Sequence, residues 1–191
     1  MGMTMSNREY LRLVTPPGAL PVTLEEAKAH LRVDHDVEDA AISGLIAAAV
    51  DLLEGPAGFL GRALEPATWD LSLDAFPQHE IQIPLGPVAS ITSVAFLRPD
   101  GAQATVPAAG YALDNLPGFD AWLVPTMPWP ATMVAANAVR VRFVAGTGTP
   151  AAVKGVILDM VARKYDARGG VRMLSPDLAA DLAPYRRPVI E

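Results

Sequence analysis

The chain of 191 residues contains no cysteine. That excludes disulfides, thiolate metal sites and thiol nucleophiles, and it suits a reducing compartment. Long apolar runs are missing too: the most hydrophobic stretch, from Ala40 to Leu53, is too short and too interrupted to span a bilayer. The opening residues Met1 to Tyr10 lack the apolar core of a signal peptide. No internal repeat and no low-complexity tract is present. These absences predict a soluble cytoplasmic product with no membrane partner.

What is present suffices for a folded core: 51% of residues are hydrophobic, 19% are charged, and three are Trp. The length allows one domain or two small lobes. The net charge of −6 is uneven, since residues 1–150 hold 8 Lys/Arg against 16 Asp/Glu and residues 151–191 hold 7 against 5. An acidic body argues against adhesion to phosphate backbones. The mildly basic end suits an acidic protein surface.

Periodicity divides the chain into three parts. Residues 1–21 end in a Pro-rich segment and read as an extended arm or edge segment. Thr23-Leu-Glu-Glu26 then has the form of a capping box, and Leu24, Ala27 and Leu31 supply the stripe of a first helix. A second helix is predicted from near Asp36, with Asp36, Glu38 and Asp39 at its positive end and Gly55-Pro56 as its stop. Val37, Ala41, Leu45, Ala48 and Leu52 recur at helical spacing, and Ile42, Ile46, Ala49 and Leu53 widen the stripe. That width predicts a helix buried on most of its surface.

From 66 to 145 the pattern alternates with period two, as in Trp69 to Asp74, Glu80 to Pro84 and Val139 to Val144. Ser90–Leu97, Tyr111–Asp114 and Ala121–Val124 add further strands, about six in all. Helix returns after Thr149-Pro150, with Val153, Val156, Ile157, Met160, Val161 and Tyr165 on one stripe, ending near Gly169-Gly170. Ser175-Pro176 opens a last short helix through Ala183. The predicted class is α+β: a helical bundle from residues 22–65 and 146–184, an inserted antiparallel β-meander or small sandwich over 66–145, and a tail at 185–191.

No constellation for chemistry emerges. The stretch from Lys28 to Ala40 holds two histidines and four carboxylates. His30 and His35 lie five apart across a helix end, so they do not share a face as a zinc pair would. A calcium loop started at Asp34 has Asp39 where Gly is required and Leu45 where a bidentate Glu is required. The acids therefore read as helix caps. Gly146 to Pro150 lacks both the third Gly of a dinucleotide loop, where Ala151 stands, and the Gly-Lys-Ser/Thr of a phosphate loop. His79 has no nucleophile motif to serve. Asp70 and Asp74 read as solvated carboxylates on a strand's polar face. Trp69, Trp122 and Trp129 read as core or interface residues, with stacking on a carbohydrate as the other use. No catalytic residue, metal or cofactor is assigned.

The order of motifs resembles a known family. Thr23–Val33, the acidic corner, Ile42 to Ala49, Gly61-Arg-Ala-Leu64 and Trp69–Leu73 are similar to the head–tail connector (adaptor) proteins of long-tailed bacteriophages, prophages and gene transfer agents. Ile81–Val88, Ser90–Val94, Asp100-Gly101, Trp129-Pro130, Val139–Gly146 and Ala183–Arg187 continue that order, so the likeness covers about residues 20–187. Gly55-Pro56 and Gly58 depart from the pattern, interrupting what often continues as helix. The resemblance implies structural work: a ring, twelve-fold by this likeness, beneath the portal protein, with a head-closure (stopper) or tail-completion protein as further partner. DNA would pass through its channel without specific binding. It also implies a portal-facing C-terminal region, which the charge surplus suits. Tyr185, Arg186, Arg187, Val189 and Ile190 are expected to order only on the portal, supported by Arg163, Lys164 and Arg168. On that expectation the tail can be removed at no cost to folding. A β-sandwich binding module of a tail or baseplate is the other reading.

Overall fold

The computed structural model describes residues 9–115, 121–167 and 172–187. Its order is β1 (Glu9–Thr15), α1 (Leu24–Leu31), α2 (Asp39–Leu53), β2 (Ala67–Leu73), β3 (Ile81–Ile83), β4 (Val88–Leu97), β5 (Gln103–Thr105), β6 (Tyr111–Asn115), β7 (Ala121–Pro125), β8 (Val139–Ala145), α3 (Ala151–Ala167) and α4 (Pro176–Leu182). The fold is α+β. The chain divides into a sheet unit, Met1–Pro16 with Pro66–Ala145, and a helical unit, Pro17–Glu65 with Gly146–Glu191.

In the helical unit α1 begins at the capping box. Thr23 Oγ1 accepts from the Glu26 amide at 3.1 Å, and Glu26 carboxylate accepts from the Thr23 amide at 2.7 Å. An eight-residue helix has few hydrogen bonds of its own, so its start depends on this cap. Thr23→Ala should cost about 1 kcal/mol and lower the melting temperature by a few degrees, with Thr23→Ser restoring it, as followed by circular dichroism. At the other end Arg32 adopts the left-handed conformation (φ 59°) and closes the helix onto the Ala29 and Lys28 carbonyls.

The four helices share one apolar core. From α2 it takes Ile42, Ile46, Ala49, Val50 and Leu53, and from α3 Val153, Val156, Ile157, Met160 and Val161. Leu178 and Leu182 of α4 join them. One expectation fails here. The α2 stripe of Ile42, Ile46, Ala49 and Leu53 is buried, but Val37, Ala41, Ala48 and Leu52 are exposed. Both stripes are apolar with three large aliphatics each, so composition alone could not rank them; Leu45 of the outer stripe is half-buried. The helix also starts at Asp39, after a turn, and not near Asp36.

After Leu53 the chain folds back tightly. The Phe59 and Leu60 amides donate to the Leu52 and Leu53 carbonyls, and the Leu64 amide to the Glu54 carboxylate at 2.9 Å. Gly58 is obligatory there, because a Cβ would sit 2.1 Å from the Glu54 carbonyl oxygen. The glycines that depart from the family pattern thus build a loop.

In the sheet unit five strands pair in the order β1-β2-β8-β4-β5 and three in the order β3-β7-β6. Every pairing is antiparallel. The order is not that of a plain meander, since β8 inserts between β2 and β4. Two strands come in addition to those expected between 66 and 145. β5 is only three residues long. β1 lies in the segment read as an extended arm or edge segment and is an edge strand, pairing along β2 from Glu9↔Leu73 to Thr15↔Thr68. One face of the larger sheet is apolar, with Leu71, Leu73, Val94, Val139, Val141 and Phe143 buried. The opposite face holds the cross-strand row Arg12–Asp70–Arg142.

Candidate functional site

The corner between α1 and α2 is organised by Lys28. Its ammonium donates to Asp36 and to Asp39, each at 2.7 Å. These two carboxylates hold Lys28 above its ordinary pKa, and the Lys28 hydrogen bond holds Asp36 below its own. Glu38 accepts from the Tyr165 hydroxyl. Glu38 and Asp39 do stand at the positive end of α2 as expected, but Glu38, at the N-cap position, makes no side-chain cap bond, and the acids instead form a clamp. His30 faces Asp159 at 3.4 Å and His35 faces Glu38 at 3.9 Å, so the histidines go to different partners. Among the described residues no three His, Asp or Glu side chains are grouped to hold a metal. The clamp fixes a protruding turn whose tip is Val37, 90% exposed.

The turn before α3 is filled by the protein itself. The Glu65 carboxylate accepts from the Thr149 amide at 3.1 Å and from the Thr149 hydroxyl at 2.8 Å.

Asp70 differs from its expectation. It is 1% exposed and accepts two hydrogen bonds from Arg142, at 2.7 and 2.9 Å, with Arg12 at 3.5 Å. Arg142's hydrogen bonds hold its carboxyl below the usual range, against the opposing effect of burial. The alternation of Val139-Arg-Val-Arg with Asp70 was visible in sequence, but the register that sets Asp70 opposite Arg142 was not. Asp74 accepts from the Asn137 amide at 2.9 Å.

The tail residues are distributed unevenly. Tyr185 ends a short 3₁₀ turn and packs against the helical core. The Arg186 guanidinium lies 5.0 Å from the centre of the Phe59 ring, and the Arg187 amide donates to the Leu60 carbonyl at 2.9 Å. Arg186 and Arg187 are thus seated on the chain's own 54–64 loop and Tyr185 on the helical core, contrary to the expectation that they order only on a partner. Arg163 pairs with Asp177, and Lys164 is half-buried with interactions of its own. Val189, Ile190 and Arg168 lie outside the described residues.

The three tryptophans occupy β2, β7 and the 126–138 connector, with no ring contact between them among the described residues. Trp129 stacks on Phe76 at 4.7 Å, and its indole N–H donates to the His79 carbonyl at 2.7 Å. Its other surroundings form a cleft of about 200 Å³ with Phe96, Val106, Pro107, Met127 and Pro128, where Arg98 is the one charged lining residue. Sequence reasoning missed this cleft. The Met127-Pro-Trp-Pro130 run was legible as a rigid connector, but its packing against β4 depends on long-range folding.

The described residues thus present an exposed apolar turn, an apolar cleft and a basic segment packed on the chain, and no helix among them is long and apolar enough to cross a membrane. Residues 21–98 match the family model of the Phage gp6-like head-tail connector protein, a stretch that runs from α1 through β4. The likeness to head–tail connectors carried by the sequence motifs is therefore found by that model too. No curated protein matches the chain. Among solved structures, a chain from the virion of a native gene transfer agent (GTA) particle is similar at TM-score 0.78 and 22% identity, covering 95% of this chain and 97% of that one. Chains from the neck of an empty GTA particle computed with C6 symmetry and of a native particle computed with C12 symmetry give TM-scores of 0.79 and 0.76, at the same identity and coverage. The fold is shared across nearly the whole of each chain.

Proposed function

We propose that this protein is a structural head–tail connector in the neck of a phage-type or gene transfer agent particle. The observation that carries the reading is the coincidence of the family match over residues 21–98 with a whole-chain likeness to particle-neck chains. Copies form a ring beneath the portal vertex, extend the DNA channel and join the capsid to a head-closure or tail-completion protein. A net charge of −6 suits a channel wall over which DNA slides without sticking. The work is positional and needs no cofactor. The portal-facing surface comprises Tyr185, Arg186 and Arg187, with Arg163, Lys164, Arg168, Val189 and Ile190. In this reading Arg186 offers its exposed side to the portal while its other side rests on Phe59.

The test is genetic. Removing the gene from a particle-producing cell should leave DNA-filled heads and free tails that do not join, and a plasmid copy should restore joined particles, scored by electron microscopy. Joined, infective or gene-transferring particles in the absence of the gene would overturn the reading.

A further inference from the structure

Among the exposed apolar side chains of the described residues, two surfaces bear on assembly. The first is Val37, whose turn is held rigid by Lys28 and Tyr165 and flanked by Asp34, Asp36 and Glu38. It continues along the exposed side of α2, where Ala41, Gly44, Ala48 and Leu52 leave a smooth surface and Asp51 adds another negative charge. The second, on the sheet unit, is the Trp129 cleft. Met127 at its edge is 61% exposed, and nearby Val134 is 80% exposed. Met133, whose amide donates to the Leu97 carbonyl at 2.9 Å, ties this segment to the end of β4 next to Arg98.

The two surfaces complement each other. One is a rigid aliphatic tip framed by carboxylates; the other is a preformed apolar cleft whose only charged lining residue is a cation. Stacking on Phe76 and the bond to His79 hold the Trp129 wall in place without a ligand. Pro107 and Pro128 stiffen the cleft, while Met127 can adapt to what enters. Asp100, close to Arg98 in sequence, is turned onto the Ala102 amide at 2.9 Å and does not line the cleft. A pocket for carbohydrate needs several convergent polar groups, and this lining offers only Arg98 and Thr105 side chains.

We infer that the occupant is a second copy of this chain: the Val37 corner and exposed α2 face of one copy seat on the Met127–Trp129 cleft of the next, with Arg98 facing the corner's carboxylates. Tip and cleft are different patches of one subunit, so the contact is heterologous. Each copy gives one and receives one, which generates a closed ring or an open chain and not a two-fold dimer. The inference rests on the connector reading for its ring. It names the lateral contact, separate from the portal-facing tail.

The absence of cysteine makes the test clean. Val37→Cys and Met127→Cys, both at exposed positions, are prepared as separate full-length proteins, mixed at high concentration and oxidised. The mixed disulfide should exceed either homodimer by about tenfold or more, and Arg98→Glu in the Met127→Cys protein should reduce that excess severalfold. The chain carrying both cysteines should give a ladder of dimers, trimers and higher species on non-reducing gels, which single variants cannot. A random mixture of the three disulfides, or an excess indifferent to Arg98→Glu, would overturn the contact. Repeating the oxidation in assembled particles separates the two claims. Particles that contain the chain but give no ladder, or that join Val37→Cys to a protein of another size, sink the lateral contact and leave the connector reading standing. A chain missing from particles sinks the connector reading, and the purified-protein ladder then decides the contact alone.

Discussion

Replacing Arg142 by Met should destabilise the sheet unit by about 3 kcal/mol at neutral pH, a fall in melting temperature on the order of 10 °C. Removing the guanidinium leaves a carboxylate that is 1% exposed without its two shortest hydrogen bonds. Arg12 is a poor substitute, since it reaches Asp70 only at 3.5 Å and lies on the edge strand. The same pair fixes the pH dependence. Arg142's hydrogen bonds hold the Asp70 carboxyl below its ordinary value, so on acidification the unfolded chain takes up this proton first. The pair's contribution is complete above the unfolded value, about 4, and is lost as pH falls toward and through the folded one. In Arg142→Met the burial that raises the carboxyl is opposed only by the smaller effects of Arg140 and Arg12, so less of the variant's stability depends on an ionised Asp70 and its deficit should shrink as pH falls from 7 to 3. Urea denaturation at the two pH values checks it. A deficit that stays constant would mean that Arg142 acts through packing of its stem and not through the ion pair.

This network marks where sequence reasoning stops. Local signals were legible because their causes are local: the Thr23–Glu26 capping box, the stripe of α3 and the alternation of β8 all appear in the structure. What was not legible depends on partners distant in the chain. Residues 9–15 read as an extended arm or an edge segment, and it is the pairing with β2, with Tyr10 opposite Ser72, that decides for the edge strand. Asp70 is buried because β8 places Arg142 beside it. In α2 two apolar stripes compete, and only the tertiary fold shows that Ala41, Ala48 and Leu52 face outward. The spacing in the acidic corner argued against a metal site, and its use of Lys28 as a shared donor required the turn's geometry. Surfaces for assembly are hard to read for the same reason. They are made of ordinary apolar residues, and exposure is what sets them apart.

Cutting the chain at two points three residues apart should separate folding from assembly. Deleting 188–191 keeps the contacts of Tyr185, Arg186 and Arg187, and if these last four residues act only on a partner, stability should change by less than about 0.5 kcal/mol. Deleting 185–191 removes the packing of Tyr185, the Arg186–Phe59 contact and the Arg187 amide bond to Leu60. Partial burial of one aromatic ring, one cation–π contact and one hydrogen bond together should cost about 2–4 kcal/mol. The loss should be localised, appearing as faster amide exchange in the 54–64 loop, because that loop is what the tail covers. For assembly the order of effects differs. If Val189 and Ile190 engage the portal, the shorter deletion already yields stable protein that fails to co-purify with portal, and heads that stay unjoined to tails. If the seated residues Tyr185–Arg187 carry the contact, joining survives the shorter deletion and fails with Arg186→Ala and Arg187→Ala, substitutions that keep the Arg187 amide bond. Normal portal binding and full joining in the shorter deletion and in the paired alanine variant alike would show that the C-terminal region has no such role.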